Sequence, residues 1–335
     1  MKKKAHANSR IFFLLSAVLL VLLILLGLGL GSVRIPLREI LRVLSEGDAE
    51  TANAVILRSV RLPRVLAGIL TGAGLGAAGA ILQTVLNNSL ASSNTIGVNS
   101  GAGFFVMLSM IFFPKDPAAR SGMAFLGALI TVLFILCLAY FAERSRVTII
   151  LAGITISSFL SAAMNLIKTL DDSIVINSLT FSIGSLAGVR LSNLAYPAIG
   201  ILPAILIATL LGKALNIMSL GDGTAMSLGL KVHHYRIVFV LLASLLAGCV
   251  VSYAGLISFV GLIVPHVCRY FTGHDARVLI PASALLGAVF VLIADLAGRV
   301  LFAPYELPVG ILLSLSGAPF FLYLLLKKGG RRVNA

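Results

Sequence analysis

Long apolar runs alternate with short polar breaks along the whole chain. The runs fall at 11–31, 62–84, 97–113, 122–141, 147–169, 195–215, 236–253, 255–271, 278–302 and 307–326. Each has the length one α-helix needs to cross a bilayer, roughly 17–25 residues. The stretch 236–271 is too long for a single crossing and divides at Gly255. The pattern predicts an all-α polytopic membrane protein of about ten transmembrane helices, with 1–335 as a single domain. No internal repeat and no low-complexity tract interrupts it. The first run follows "MKKKAHANSR". It is longer than the apolar core of a signal peptide, and no small-x-small site follows cleanly, so it is read as the first span.

Composition agrees with this layout. Of 335 residues, 59% are hydrophobic and only 11% charged, where a soluble domain carries about a quarter charged. The net charge of +14 does not point to nucleic acid, because the basic residues sit in short breaks between apolar runs rather than on one face. Their distribution gives an orientation instead. With both termini in the cytoplasm, the inner segments hold 15 basic residues against Glu143, Asp222 and Asp275, a net of +12. The outer segments net +2, as the positive-inside rule requires. Cys137, Cys249 and Cys268 lie inside apolar runs and are read as packing residues. Trp is absent, so an interfacial belt would use Tyr and Phe.

The second span is built from small residues. Gly68, Gly72 and Gly76 stand at four-residue spacing, with Gly74, Gly79, Ala67, Ala73, Ala77 and Ala78 around them. Such a face lets helix backbones approach closely, which places this helix in the centre of the bundle. Candidate chemistry is sparse. No GxxxxGK[ST] loop occurs, so the chain has no phosphate cradle of its own, and no HExxH or other ligand-spaced cluster occurs. No carboxylate stands at the middle of a span; Asp295 comes closest, about two turns from a span end. A proton- or sodium-coupled carrier would need such a group or a broken-helix ion site.

Four segments carry more information: "RLPRVLAGILTGAGLGAAGAILQTVLNNSLASSNTIGVNSGAG" (61–103), "SLGDGTAMSLGLKVHHYR" (219–236), "GLISFVGLIVPHVCRYFTGHDARVLIP" (255–281) and "LIADLAGRVLFAPYELPVGILLSLSGAPFF" (292–321). Their order and spacing resemble the FecCD family, the membrane permeases of binding-protein-dependent ABC importers for ferric siderophores, haem and cobalamin. The resemblance runs from about residue 10 to 328 and implies a bundle like that of cobalamin-importer permeases in a bacterial cytoplasmic membrane. It implies three kinds of partner besides the lipid bilayer: two copies of a separate ATP-binding cassette ATPase, an extracytoplasmic substrate-binding protein, and a second permease subunit, identical or paralogous. It implies no cofactor, no catalytic residue and no resident metal. A ferric siderophore is the cargo expected first, with haem or cobalamin as alternatives.

The resemblance also implies roles for particular residues. The polar stretch 213–236 corresponds to the loop that docks on the ATPase, with Gly221, Asp222, Ala225, Leu228 and Gly229 matching its pattern; the other reading is a plain solvated loop. Arg61, Arg64 and Arg299 correspond to residues that receive carboxylates of the binding protein. Headgroup snorkelling would also explain arginines at outer span ends, and Asp295 is spaced to pair with Arg299. Gln83, Asn88, Pro265, His266, Arg269, Gly310 and Pro319 belong to the family signature at helix ends and gates. The sequence departs from the family at "NNSLASSN" (87–94), where Ser89 and Ser93 replace two prolines; Ser leaves this turn freer than Pro. Glu306 receives no role. The path itself is expected to be lined by small, Ser, Thr, Asn and apolar side chains.

Rival readings exist. A secondary transporter is disfavoured by the lack of mid-span carboxylates. An intramembrane enzyme would have to use His266 with Ser258 or Asp275, and Ser258 lies two turns from His266 on a straight helix. A non-transporting receptor subunit is a further alternative.

Overall fold

A computed structural model describes residues 2–31, 33–46, 51–114, 116–141, 145–302 and 305–329. Among them every regular element is helical: α1 (Lys2–Gly29), α2 (Leu37–Glu46), α3 (Ala52–Ile56), α4 (Leu62–Val85), α5 (Val98–Phe112), α6 (Pro117–Phe141), α7 (Arg146–Leu170), α8 (Asp172–Ile183), α9 (Ala195–Leu210), α10 (Gly212–Met218), α11 (Asp222–Ser227), α12 (Val232–Ala254), α13 (Val260–Thr272), α14 (Ala276–Val300) and α15 (Val309–Gly329). Glu143, Arg144, Arg331 and Arg332, which entered the charge count, lie outside the described residues.

Each of the ten apolar runs contains one of these helices. Six helical segments are long and apolar enough to cross a membrane alone, and α9 with α10 forms a further pair bent by 61°. The division at Gly255 is a real break: this residue has φ +72° and ends α12. The remaining runs give α5, α13 and α15, the first two too short to cross about 30 Å of hydrocarbon by themselves. To reach that thickness as crossings these two need the irregular segments 86–97 and 255–259 that precede them. Irregular backbone at such depth is tolerated only inside protein or beside a water-filled cavity.

The pattern of long apolar runs did not foresee α2, α3 or α8. α2 is a short amphipathic helix that buries Ile40 and Val43 and exposes Leu37 and Leu41. α3 continues through a π-helical turn at Leu57–Arg61 into α4, making one 34-residue segment. At 1.5 Å per residue this exceeds the membrane's apolar thickness. α8 is a half-helix whose end is tied by backbone bonds. The Leu256 N–H donates to the Phe181 carbonyl at 2.8 Å, and the Ser185 N–H to that of Ala254 at 2.9 Å.

α4 is the axis of the bundle, as its small residues predict. Within the segment Ala52–Val85, 78% of the span is buried, against 17% for α7. The cause is backbone contact. A Cβ at Gly72 would strike the Gly287 carbonyl of α14, one at Gly76 the Ser283 carbonyl, and one at Gly79 the backbone of Gly261 in α13. None of these atoms can rotate away as a side-chain tip could. Gly72→Ala is therefore expected to destabilise the protein by about 1–3 kcal/mol, read as a lower unfolding midpoint in detergent. Gly122→Ala, on an exposed site of α6 with nothing within 4 Å of the added carbon, should leave the midpoint unchanged or slightly raised.

Candidate functional site

α13 explains why an apolar helix carries Pro265. Proline has no N–H, so the carbonyl four residues earlier, that of Gly261, loses its helical donor. The structure supplies a replacement: the Gln83 amide of α4 donates to the Gly261 carbonyl at 2.9 Å and to that of Leu262 at 3.3 Å. Its oxygen accepts from Arg269 at 2.5 Å. Gln83, itself buried, thus closes a joint between α4 and α13 beside the close approach of Gly79 and Gly261. His266 follows Pro265 and is half-buried. Among the described residues no cluster of His, Cys, Asp or Glu could hold a metal.

A cavity of about 610 Å³ opens where the short helices begin. Asn94, Asn99 and Ser100 line it at the start of α5, Ser258 before α13, and Gly310 and Ser314 at the start of α15. Ser161 of α7 closes another side and is shared with a second cavity of about 580 Å³, where Ser157, Ser158 and Asn165 of the same helix lie. No lining residue of either cavity is charged. Gly310 is required by space: its N–H donates to the Gly184 carbonyl at 3.1 Å, and a Cβ would enter the Ile183 carbonyl. Asn88 shapes the preceding turn, its side-chain oxygen accepting from the Leu90 N–H at 2.9 Å. Ser89 is exposed in that turn and Ser93 half-buried. Pro319 lies inside α15, one turn beyond the lining residue Leu315.

At the bundle end where α1 stops, four charged groups meet: Arg64, Asp295 and Arg299 are buried, and Glu306 is exposed. Arg64 donates to Asp295 at 2.9 Å and to Glu306 at 2.5 Å. Arg299 lies 3.2 Å from Asp295 without hydrogen-bond alignment and donates to the Gly27 carbonyl at 3.2 Å. Arg61 donates to the carbonyls of Leu28, at 2.6 Å, and Val33. The last carbonyls of a helix have no partner within it and carry partial negative charge, and here two guanidinium groups cap α1. Arg61, Arg64 and Arg299, expected from the resemblance to receive a docking protein, are each about 5% exposed or less, and the donors described here reach partners within the chain. The pairing of Asp295 with Arg299, anticipated from spacing, is present. Glu306 gains a role as partner of Arg64 that its sequence context did not reveal.

The opposite end carries α10 and α11, so the polar stretch 213–236 is largely helical. Gly221 and Gly229 adopt φ +105° and +80° on either side of α11. Ala225 is fully buried, while Leu220, Met226 and Leu228 are exposed. Asp222 does not face outward alone. Arg146 of α7 donates to one of its oxygens through Nε at 3.0 Å and again through its terminal nitrogen, and Arg236 of α12 donates to the other at 2.6 Å. Burial would raise the Asp222 pKa, but these two arginines outweigh it and hold the group below its ordinary value. Nearby, Asp275 caps α14, accepting from Arg277 and from Asn216 of α10. The Arg277 bond, acting against partial burial, lowers its pKa to about 2. The sequence reading missed Arg146 and Arg236 as partners of Asp222; only their occurrence at the first turns of spans hinted at it.

Comparison with known proteins gives this geometry a context. Residues 19–327 match the FecCD transport family. The Fe(3+)-citrate import system permease protein YfmE of Bacillus subtilis is 37% identical over 97% of this chain and 98% of its own length. The hemin transport system permease protein HmuU of Yersinia pestis is 35% identical over 95% and 97%. Among solved structures, an inward-facing metal-chelate type ABC transporter chain superposes with a TM-score of 0.82 at 30% identity, covering 95% of this chain and 99% of that one.

The joint at Pro265 yields a double-mutant test. Gln83→Leu strands the Gly261 carbonyl and should cost about 1–3 kcal/mol. Pro265→Ala restores a backbone donor to that carbonyl, so combined with Gln83→Leu it should recover part of the loss, with a coupling of about 1 kcal/mol. Unfolding midpoints of the two single variants and the double variant measure it; strict additivity would contradict the joint. The pH dependence has a defined sign. Asp222 and Asp275 both have lowered pKa values, so their contribution is complete above the unfolded carboxylate value of about 4. It is lost as pH falls towards about 2 for Asp275.

Proposed function

The chain belongs to the FecCD transport family, a multi-pass membrane transport component rather than an enzyme, and from that premise we propose that it passes a ferric chelate across the bacterial cytoplasmic membrane as the permease subunit of an ABC importer. The observation that carries this reading is the uncharged Asn- and Ser-lined cavity at which α5, α13 and α15 begin. A path must bind its cargo well enough to admit it and weakly enough to release it. Amide and hydroxyl groups offer hydrogen bonds to the oxygen-rich surface of a chelate without gripping its metal. The nearby helix starts add a modest positive potential.

The rest of the assembly follows in this reading. The whole chain is one permease domain, and both termini are cytoplasmic. α10 and α11, within 213–236, form the coupling loop, and exposed Leu220, Met226 and Leu228 offer an apolar patch for a groove on each of two ATPase subunits. A second permease chain, identical or paralogous, completes the path along the sparsely covered α7. A binding protein delivers cargo at the end where α1 stops. Because Arg61, Arg64 and Arg299 are committed inside that end, they shape its docking surface rather than contact the partner directly. Haem is the second reading, favoured by the similarity to the hemin permease.

The test is uptake in cells with and without the gene, using ⁵⁵Fe bound to citrate, hydroxamates or catecholates, and ⁵⁵Fe-haem. Loss of one ⁵⁵Fe-chelate, restored by the gene and abolished by ATP depletion with the proton gradient held, is the expected result. Loss confined to haem selects the second reading. Uptake that survives ATP depletion contradicts the ABC mechanism.

A further inference from the structure

The ion pairs of Asp222 link three elements: α11, the α12 that follows it, and α7, 76 residues earlier in the chain. Arg146 is the first residue of α7 and Asp222 the first of α11, while Arg236 lies in the opening turns of α12. Arg146 reaches further, donating to the Met218 carbonyl at the end of α10 at 3.2 Å. One guanidinium therefore holds both loop helices to the start of α7. The two arginine side chains are 14% and 2% exposed, and Asp222 is 31% exposed, so the pairs are partly shielded from screening. Their geometry is directional, with two nitrogens of Arg146 on one oxygen and Arg236 on the other.

The two anchored helices differ in how far this chain covers them. α12 is well packed, with 61% of its span buried, whereas α7 is only 17% buried. The open face of α7 is the one assigned above to a second permease chain, so the pair of Arg146 and Asp222 joins the loop helices to the helix that borders the path, while Arg236 joins them to well-packed α12. α7 carries Ser157, Ser158, Ser161 and Asn165 on the cavity walls. Ser161 lies about 22 Å along the helix from Arg146 by the rise per residue. A stiff helix held at one end conveys a shift there to its far turns.

We propose that Arg146 and Asp222 act as a positioning pair that transmits movement of the cytoplasmic loop helices to α7, with Arg236 as the fixed point, so that nucleotide state changes the exposure of the α7 face in the cavity. The inference rests on the reading of 213–236 as the ATPase-docking loop. It assigns Asp222 an inward mechanical role and leaves the exposed apolar residues of the loop to contact the ATPase.

The experiment uses the full complex with its ATPase in nanodiscs. Cys137, the exposed cysteine, is replaced by Ser, and Ser161→Cys serves as reporter. The labelling rate by a water-soluble maleimide is measured without nucleotide and after trapping with ATP and vanadate. With Arg146 present, the two rates should differ by at least about fivefold, the lower range of allosteric couplings. Arg146→Gln should keep the ATPase bound and hydrolysing while the two rates converge; Arg146→Lys, which retains the charge, should restore most of the difference. A full nucleotide-dependent change in Arg146→Gln overturns the proposal. Loss of ATPase binding in Arg146→Gln alone also overturns it, by making the pair part of the docking surface. Failure of the ATPase to co-purify even with Arg146 present overturns the docking reading itself.

Discussion

A backbone that crosses a bilayer must find a donor for every carbonyl, because no water is there to supply one. This requirement accounts for the features of the chain that look out of place in an apolar sequence. Pro265 removes a donor, and Gln83 of α4 replaces it. α1 ends with carbonyls that no helical N–H can reach, and Arg61 and Arg299 cap them. The end of α8 is secured by backbone bonds to residues 254–256 and to Gly310. These side chains and glycines serve the backbone first. The close approaches of α4 to α13 and α14 are possible because glycine stands at each crossing.

The same economy shapes the cavity proposed as the transport path. Irregular segments are tolerated where they border a cavity, and the segments before α5 and α13 do so. The crossing is therefore weakest, as regular structure, where cargo would pass. The charged groups are kept away from that region. Arg64, Asp295, Arg299 and Glu306 close one end, and Arg146, Asp222 and Arg236 tie the other. Between them the two cavities are lined by amides, hydroxyls and apolar side chains.

Much of this was legible in the sequence because bilayer thickness imposes a length on each apolar run. The ten runs, the break at Gly255 and the central place of α4 follow from length and from small-residue spacing. α2 and α8 were not legible, since a short amphipathic helix and a half-helix lack that length signal. The arginines show a different limit. Their position at span ends was plain, but the carbonyls of α1 that they cap are 33 and 272 residues away in the chain, and no local pattern encodes such a meeting. Asp222 was found by its motif, whereas its partners Arg146 and Arg236 needed the fold. The cavity-lining Asn and Ser residues resemble any other small polar residues until the helices bring them together.

The central claim is that side-chain donors complete the membrane backbone and thereby hold the helix ends in place. Amide hydrogen exchange of residues 24–31, compared between the unaltered protein and Arg61→Met and Arg299→Met in nanodiscs, tests it most directly. Faster exchange confined to the end of α1, with the α4–α14 crossing unchanged, is the expected result. Equal protection of that end without either arginine would contradict the account.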